Sequence, residues 1–170
     1  MYLKACSEYF ANAITRMFPE KNEYPILSYY RALRHENKHI CEISIGPRNS
    51  VWICKVRKKP SDARVVTFTR EMWFLNKCNK KAIAKKAAWA AEGSNLVTTT
   101  LEKHNDRVSL SFVSTLVVAS VENFDLVAEE YANALFYCST LFLGCLKAKY
   151  SEDIMQITIH PIPYGAECED

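Results

Sequence analysis

Hydrophobic and polar positions along this chain follow two different periods, and the changes of period mark its elements. Over residues 2–18, Leu3, Phe10, Ile14, Met17 and Phe18 recur near helical spacing, and Pro19 supplies a stop. Pro25 suits a first helical position, and Ile26, Leu27, Tyr30 and Leu33 share one stripe, which predicts a second helix reaching about residue 35. Glu36-Asn37-Lys38 breaks that pattern. From Ile40 the period changes to two. Cys41, Ile43 and Ile45 alternate with Glu42 and Ser44, the turn Gly46-Pro47-Arg48-Asn49-Ser50 follows, and Val51 to Val56 is a β-branched and aromatic run, so a hairpin is expected. A third strand from Arg64 alternates Val66, Phe68, Met72 and Phe74 with Thr67, Thr69 and Glu71, with Arg70 the exception on the apolar side.

Residues 80–95 return to helical spacing, with Asn79 as the cap and Gly93 as the stop. Ile83, Ala84, Ala87, Ala90 and Ala91 share one face, and Lys81, Lys85 and Lys86 lie across from it with Trp89 in their midst. A face of alanines suits close packing on a sheet. The lysines then read as a solvated outer face, whereas Trp89 needs a partner, a covering element or the lysine stems. Leu96 to Leu101 and Val108 to Val118 flank Glu102-Lys103-His104-Asn105-Asp106-Arg107 and predict a hairpin. A long helix starts near Asn123 or Asp125 and aligns Phe124, Tyr131, Leu135, Cys138 and Phe142, leaving Phe136, Tyr137, Leu141 and Leu143 outside the stripe. Ile157 and Ile159 alternate with Thr158 and His160 before Pro161, which reads as an edge strand or a tail crossing to a neighbour.

The order is α-α-β-β-β-α-β-β-α, with that terminal strand as an addition. It predicts an α+β fold in which helices pack on a twisted antiparallel sheet of about five strands. The whole chain, 1–170, reads as one domain: a helical N-terminal part over 1–37, an α+β core over 38–150 and a tail over 151–170.

Composition narrows the function more by exclusion than by signature. With 49% apolar and 24% charged residues the chain supports one sizeable core. Charges within the first eight residues interrupt any export signal, Ala134 to Leu146 is too short to span a bilayer, and a soluble cytoplasmic protein is expected. The seven cysteines are scattered without a C-x-x-C pair and read as free thiols. His35, His39 and Cys41 are the nearest approach to a metal set, and a fourth ligand is missing. The four glycines do not cluster into a phosphate loop, and none of the four histidines stands near a plausible nucleophile. No cofactor is expected, and an enzyme is the least supported class. Charge is unevenly spread: Val51 to Lys86 carries eleven Lys and Arg against Asp62 and Glu71, and residues from Ser120 onward carry nine acids against Lys147 and Lys149. Such a division either steers an acidic partner to one face or lets one end of the molecule meet the opposite end of its twin.

From about Ile40 to Tyr150, the element order resembles the YbjN-like family and its relatives, the type III secretion chaperones. The residues that carry the resemblance are the helix ending AAWAAEGSN, the strand LVTTTLE, the turn KHNDR, the strand VSLSFVSTLV and the long helix ENFDLVAEEYANALFYCSTLFLGCL, with Asn95 between helix and strand. The resemblance implies a non-catalytic, commonly dimeric interaction domain that binds a segment of another protein or tunes a regulatory response.

Two functional expectations stand beside each other. The first is a homodimeric, chaperone-like or regulatory protein-binding module whose candidate interface is Trp89, Phe136, Tyr137, Leu141 and Leu143. The second is a nucleic-acid-binding protein that uses a basic surface of Arg48, Lys55, Arg57, Lys58, Lys59, Arg64, Lys81, Lys85 and Lys86, with Trp52 or Trp73 for stacking.

Overall fold

The structure, a computed structural model, describes residues 2–17, 29–47, 51–119, 122 and 124–148. The elements are α1 (Tyr2–Met17), β1 (Tyr29–Glu36), β2 (Ile40–Pro47), β3 (Val51–Lys58), β4 (Arg64–Leu75), α2 (Lys80–Ala91), β5 (Thr98–Lys103), β6 (Arg107–Val118) and α3 (Phe124–Ala148). The strands form one antiparallel sheet in the order β1-β2-β3-β4-β6-β5. The α+β class with helices packed on an antiparallel sheet is thus observed.

Register explains where the core lies. Trp52 pairs with Arg70, Cys54 with Phe68, Phe68 with Ser114 and Phe74 with Val108, so the period of two sends the even-numbered residues of β3, β4 and β6 to a single face. All three helices pack on that face. Phe10 of α1 stacks on Phe68 with ring centroids 4.5 Å apart. Phe124 and Tyr131 of α3 approach Phe68 at 6.2 Å and 5.6 Å, and Phe142 approaches Phe74 at 6.3 Å and Phe112 at 5.6 Å. Each such ring contributes on the order of 1.5–3 kcal/mol when fully removed from water, so this aromatic layer holds the helices to the sheet.

The expected second helix is corrected over residues 29–36, which form strand β1. The stripe Ile26, Leu27, Tyr30, Leu33 fits helical spacing over only eight residues, too short a run to separate the two periods. Pairing decides instead: β1 runs beside β2, and Asn37 turns the chain, its Oδ1 accepting from the backbone N–H of His39 (2.8 Å) and of Ile40 (2.9 Å). The break at Glu36-Asn37-Lys38 is therefore a hairpin turn. The division between a helical part at 1–37 and a core at 38–150 dissolves accordingly, and the sheet gains a sixth strand. His35 and His39 are exposed beside the turn, and Cys41 is buried beneath α1's side of the sheet. Residues 25–28, Arg48 and the terminal strand expected at 154–160 lie outside the described residues.

Arg70 occupies the apolar face, as the alternation of β4 requires. Only 6% exposed, it donates through Nη1 to Ser139 Oγ at 2.5 Å, and its guanidinium carbon lies 4.6 Å from the Trp52 ring centroid and 5.9 Å from that of Phe136. Ser139 Oγ donates in turn to the Leu135 carbonyl. The polar group is accommodated by aromatic faces and a hydroxyl rather than left bare in the core.

Candidate protein-interaction surface

The surface is built on α2 and α3. Asn79 starts α2, its Oδ1 accepting from the Ala82 N–H at 3.1 Å, and the Glu92 N–H closes the helix on the Ala88 and Trp89 carbonyls. Ile83, Ala87, Ala90 and Ala91 are buried. These small side chains let α2 sit close to β5, β6 and α3, which pushes the rest of the helix circumference into solvent. Lys81 and Lys85 are exposed there, Lys86 is half-buried, and Trp89 stands 50% exposed.

Helix α3 turns Phe124, Ala128, Ala132, Leu135, Cys138 and Phe142 inward, and Leu126, Asn133, Tyr137 and Gly144 outward. Of the four residues expected to form an apolar patch, Tyr137 alone is exposed, at 60%. Phe136 is half-buried against the core and lies over Arg70, and Leu141 and Leu143 are half-buried against the same core. The reason is that α3 is flanked: α1 and α2 both pack along it. Leu126, also 60% exposed, escaped the sequence reading. It lies three turns before Tyr137 on the same line, and that spacing was the available signal.

The two helices run in opposite directions. Phe124 lies beside Phe68 and Phe142 beside Phe74, so α3 follows β4, whereas α2 begins beyond Leu75 and returns toward Thr98, which pairs with Val113 opposite Thr69. A side chain built on Gly93 would meet Tyr137 Cε1 at 4.0 Å, fixing the level at which the two helices meet. One turn back along α2, about 6 Å, places Trp89 level with Leu141. Trp89 and Tyr137 thus belong to one aromatic ridge along the α2–α3 seam.

The basic candidates do not converge. Register places Lys55 and Arg57 on the sheet face away from the helices, alternating with buried Cys54 and Val56. Lys58 closes β3, Lys59 belongs to the β3–β4 turn, and Arg64 opens β4. The lysines of α2 lie on the helical side, next to the β5 edge. Two of the cations face acids: Lys55 Nζ is 3.6 Å from Glu42 and Lys58 Nζ 2.8 Å from Asp62, whose carboxyl Lys58 holds below its usual range. Trp52 is core. Trp73 lies half-buried on the sheet face away from α1, α2 and α3, 4.9 Å from the His104 ring and 4.9 Å beneath the Arg107 guanidinium.

That same face carries a polar cluster not anticipated from the sequence. Glu71 accepts from Trp73 Nε1 at 2.9 Å, and burial pushes its carboxyl above the ordinary 4.5 against that hydrogen bond and the charge of Arg34. His104 Nε2 and Ser109 Oγ share a hydrogen bond at 3.0 Å, and the His104 N–H donates to the Arg107 carbonyl at 2.8 Å. With Ser109 buried, the pair ties down the β5–β6 turn. Among the described residues no group of three or more His, Cys, Asp or Glu is placed to hold a metal, and no helix is long and apolar enough to cross a membrane. The described cysteines are free thiols: Cys6, Cys41, Cys54, Cys78 and Cys138 are buried, with their thiols pushed up by desolvation, and Cys145 is half-buried. Raised thiols of this kind are poor nucleophiles.

No family model matches the sequence, and no curated protein matches it. Among solved structures, the chain is similar in fold to YbjN from E. coli, a proposed transcription regulator, with 12% identity, a TM-score of 0.48, and coverage of 72% of this chain and 84% of that one.

Proposed function

We propose that this protein is a non-enzymatic, chaperone-like or regulatory interaction module that forms a homodimer and binds a segment of a partner protein. The observation that carries the reading is the exposed pair Trp89 and Tyr137 on adjoining helices. Large aromatics supply much of the energy of protein interfaces when a partner removes them from water. Here they stand on a rigid, capped scaffold whose core face is already satisfied by small side chains, so their solvent position answers no packing need of the monomer. The scattering of the basic residues over two sides of the sheet favours this reading over a nucleic-acid track, which needs a continuous positive groove.

Sedimentation velocity tests it. The unmodified protein is expected to dimerise by high micromolar concentration, and Trp89→Ala with Tyr137→Ala to sediment as a monomer with an unchanged circular dichroism spectrum. A monomeric unmodified protein removes the homodimer. Oligonucleotide binding that falls steeply with salt transfers the reading to nucleic acid.

A further inference from the structure

The reading that this protein binds a segment of a partner leaves open where that segment lies. Resting on it, we infer that the segment adds as an extended strand to the open edge of β6 at Thr115–Ala119. β6 pairs with β4 along its whole length, Arg107 to Val118, whereas β5 reaches only from Val108 to Val113. Beyond that point no described strand lies on the β5 side. β5 starts late because the chain leaving α2 crosses at Leu96, whose carbonyl accepts from Ser114 Oγ. The strip's own exposure shows that its flank is open: Thr115 and Ala119 are exposed, and Val117 is 71% exposed.

Hydrogen-bond phase decides which backbone groups that flank presents. The His104 N–H donates to the Arg107 carbonyl at 2.8 Å, so in this antiparallel ladder Ser109, Ser111 and Val113 turn their N–H and C=O toward β5, and the even-numbered residues of β6 turn theirs toward β4. The far side of β4 gives the same phase, since the Lys59 N–H donates to the Ala63 carbonyl at 2.8 Å and commits the odd-numbered residues of β4 to β3. Continued along β6, the alternation points the N–H and C=O of Thr115 and Val117 into the open flank, where they form a template for another chain. The period of two also sets what that chain must carry. A residue opposite Leu116 falls on the helix side, where Leu116 and Val118 are half-buried against the core, and residues opposite Thr115 and Val117 fall on the other face. A short β-branched run meets both demands. The elements that bound the strip bear exposed carboxylates, Glu92 at the end of α2 and Asp125 in the first turn of α3, which favours Lys or Arg at the ends of the segment. A second copy is the poorer occupant. Two such strips would bury a few residues each, far short of the about 800 Å² a side of a stable interface, whereas a single segment fits the strip and can continue over Leu96, 41% exposed at its near end.

Residue-resolved amide exchange tests the site with a defined probe, a short synthetic peptide of Val and Thr with Lys at each end, and with the same peptide N-methylated along one edge. In the free protein the amides of Ser109, Ser111 and Val113 are expected to be protected and those of Thr115 and Val117 to exchange fast. Excess peptide is expected to slow Thr115 and Val117 by about tenfold or more, and the methylated peptide to leave them unchanged. Val117→Pro removes an N–H that faces the flank, so it is expected to fold with a near-normal thermal midpoint and to lose the slowing at Thr115. Leu116→Pro removes an N–H that faces Val66 and is expected to unfold at a clearly lower temperature. Failure of the peptide to slow these amides overturns the site, as does equal slowing by the methylated peptide. Slow exchange of Thr115 and Val117 before peptide is added also overturns it, and a dependence on protein concentration then assigns the edge to a second copy. Sedimentation of the unmodified protein still decides the homodimer, and peptide-induced protection of Trp89 in place of β6 keeps partner binding while removing this site.

Discussion

Arg70 shows at the scale of one residue how this fold uses a charge. It is held between Trp52 and Phe136 and bonded to Ser139, so Arg70→Ala removes two ring contacts, opens a cavity and deprives a buried hydroxyl of its donor. The expected cost is about 3 kcal/mol, read as a lower urea midpoint; a change within experimental error would mean that the core closes over the site. Glu71 makes the opposite kind of prediction. Its folded carboxyl is raised above the ordinary 4.5, chiefly by burial, so its contribution to stability is fully present below 4.5 and is lost as pH rises through the raised folded value. Glu71→Gln keeps an acceptor for Trp73 Nε1 and removes the buried charge. The variant is expected to be at least as stable as the unmodified protein at neutral pH, with a flatter loss of stability above pH 4.5. A variant clearly less stable at neutral pH would show that Arg34 and His104 hold the charge more strongly than burial opposes it.

Among the elements, those with a long repeat were legible and those with a short one were not. β4 alternates over twelve residues, so its inner face, Arg70 included, could be read from spacing alone. The β5–β6 hairpin and α3 were equally clear. β1 was not, because its eight residues fit either period and only pairing with β2 and the Asn37 turn decide between them. The interface candidates divide in the same way. Tyr137 and Trp89 stand opposite the core stripes of their own helices, which the sequence displays; whether Phe136, Leu141 and Leu143 are covered depends on neighbours that come from elsewhere in the chain. The cap of α2 offers a direct check on local design. Asn79→Ala removes the acceptor of the Ala82 N–H and is expected to cost about 1 kcal/mol, while leaving the midpoint of self-association unchanged unless α2 itself shifts.

For the whole molecule, the thiols and the exposed ridge make separate demands. Five buried cysteines with raised thiols are expected to resist alkylation in the native state, and the denatured, unreduced chain is expected to react at close to all seven of its cysteines; a count well below that would reveal native disulfides. The ridge sets the strength of association. Trp89, Leu126 and Tyr137 are each 50–60% exposed, so covering the three in both copies contributes on the order of 5–10 kcal/mol, at about 1.5–3 kcal/mol per fully buried side chain. Hydroxyl-radical footprinting of the unmodified protein reads the question directly, because it reports the exposure of each side chain as concentration rises. Trp89, Leu126 and Tyr137 are expected to become protected together across the association midpoint, while Leu33 and Val117, exposed elsewhere on the fold, keep their reactivity; association that protects Leu33 or Val117 and leaves Trp89 and Tyr137 reactive would contradict the assignment of the α2–α3 ridge as the interface.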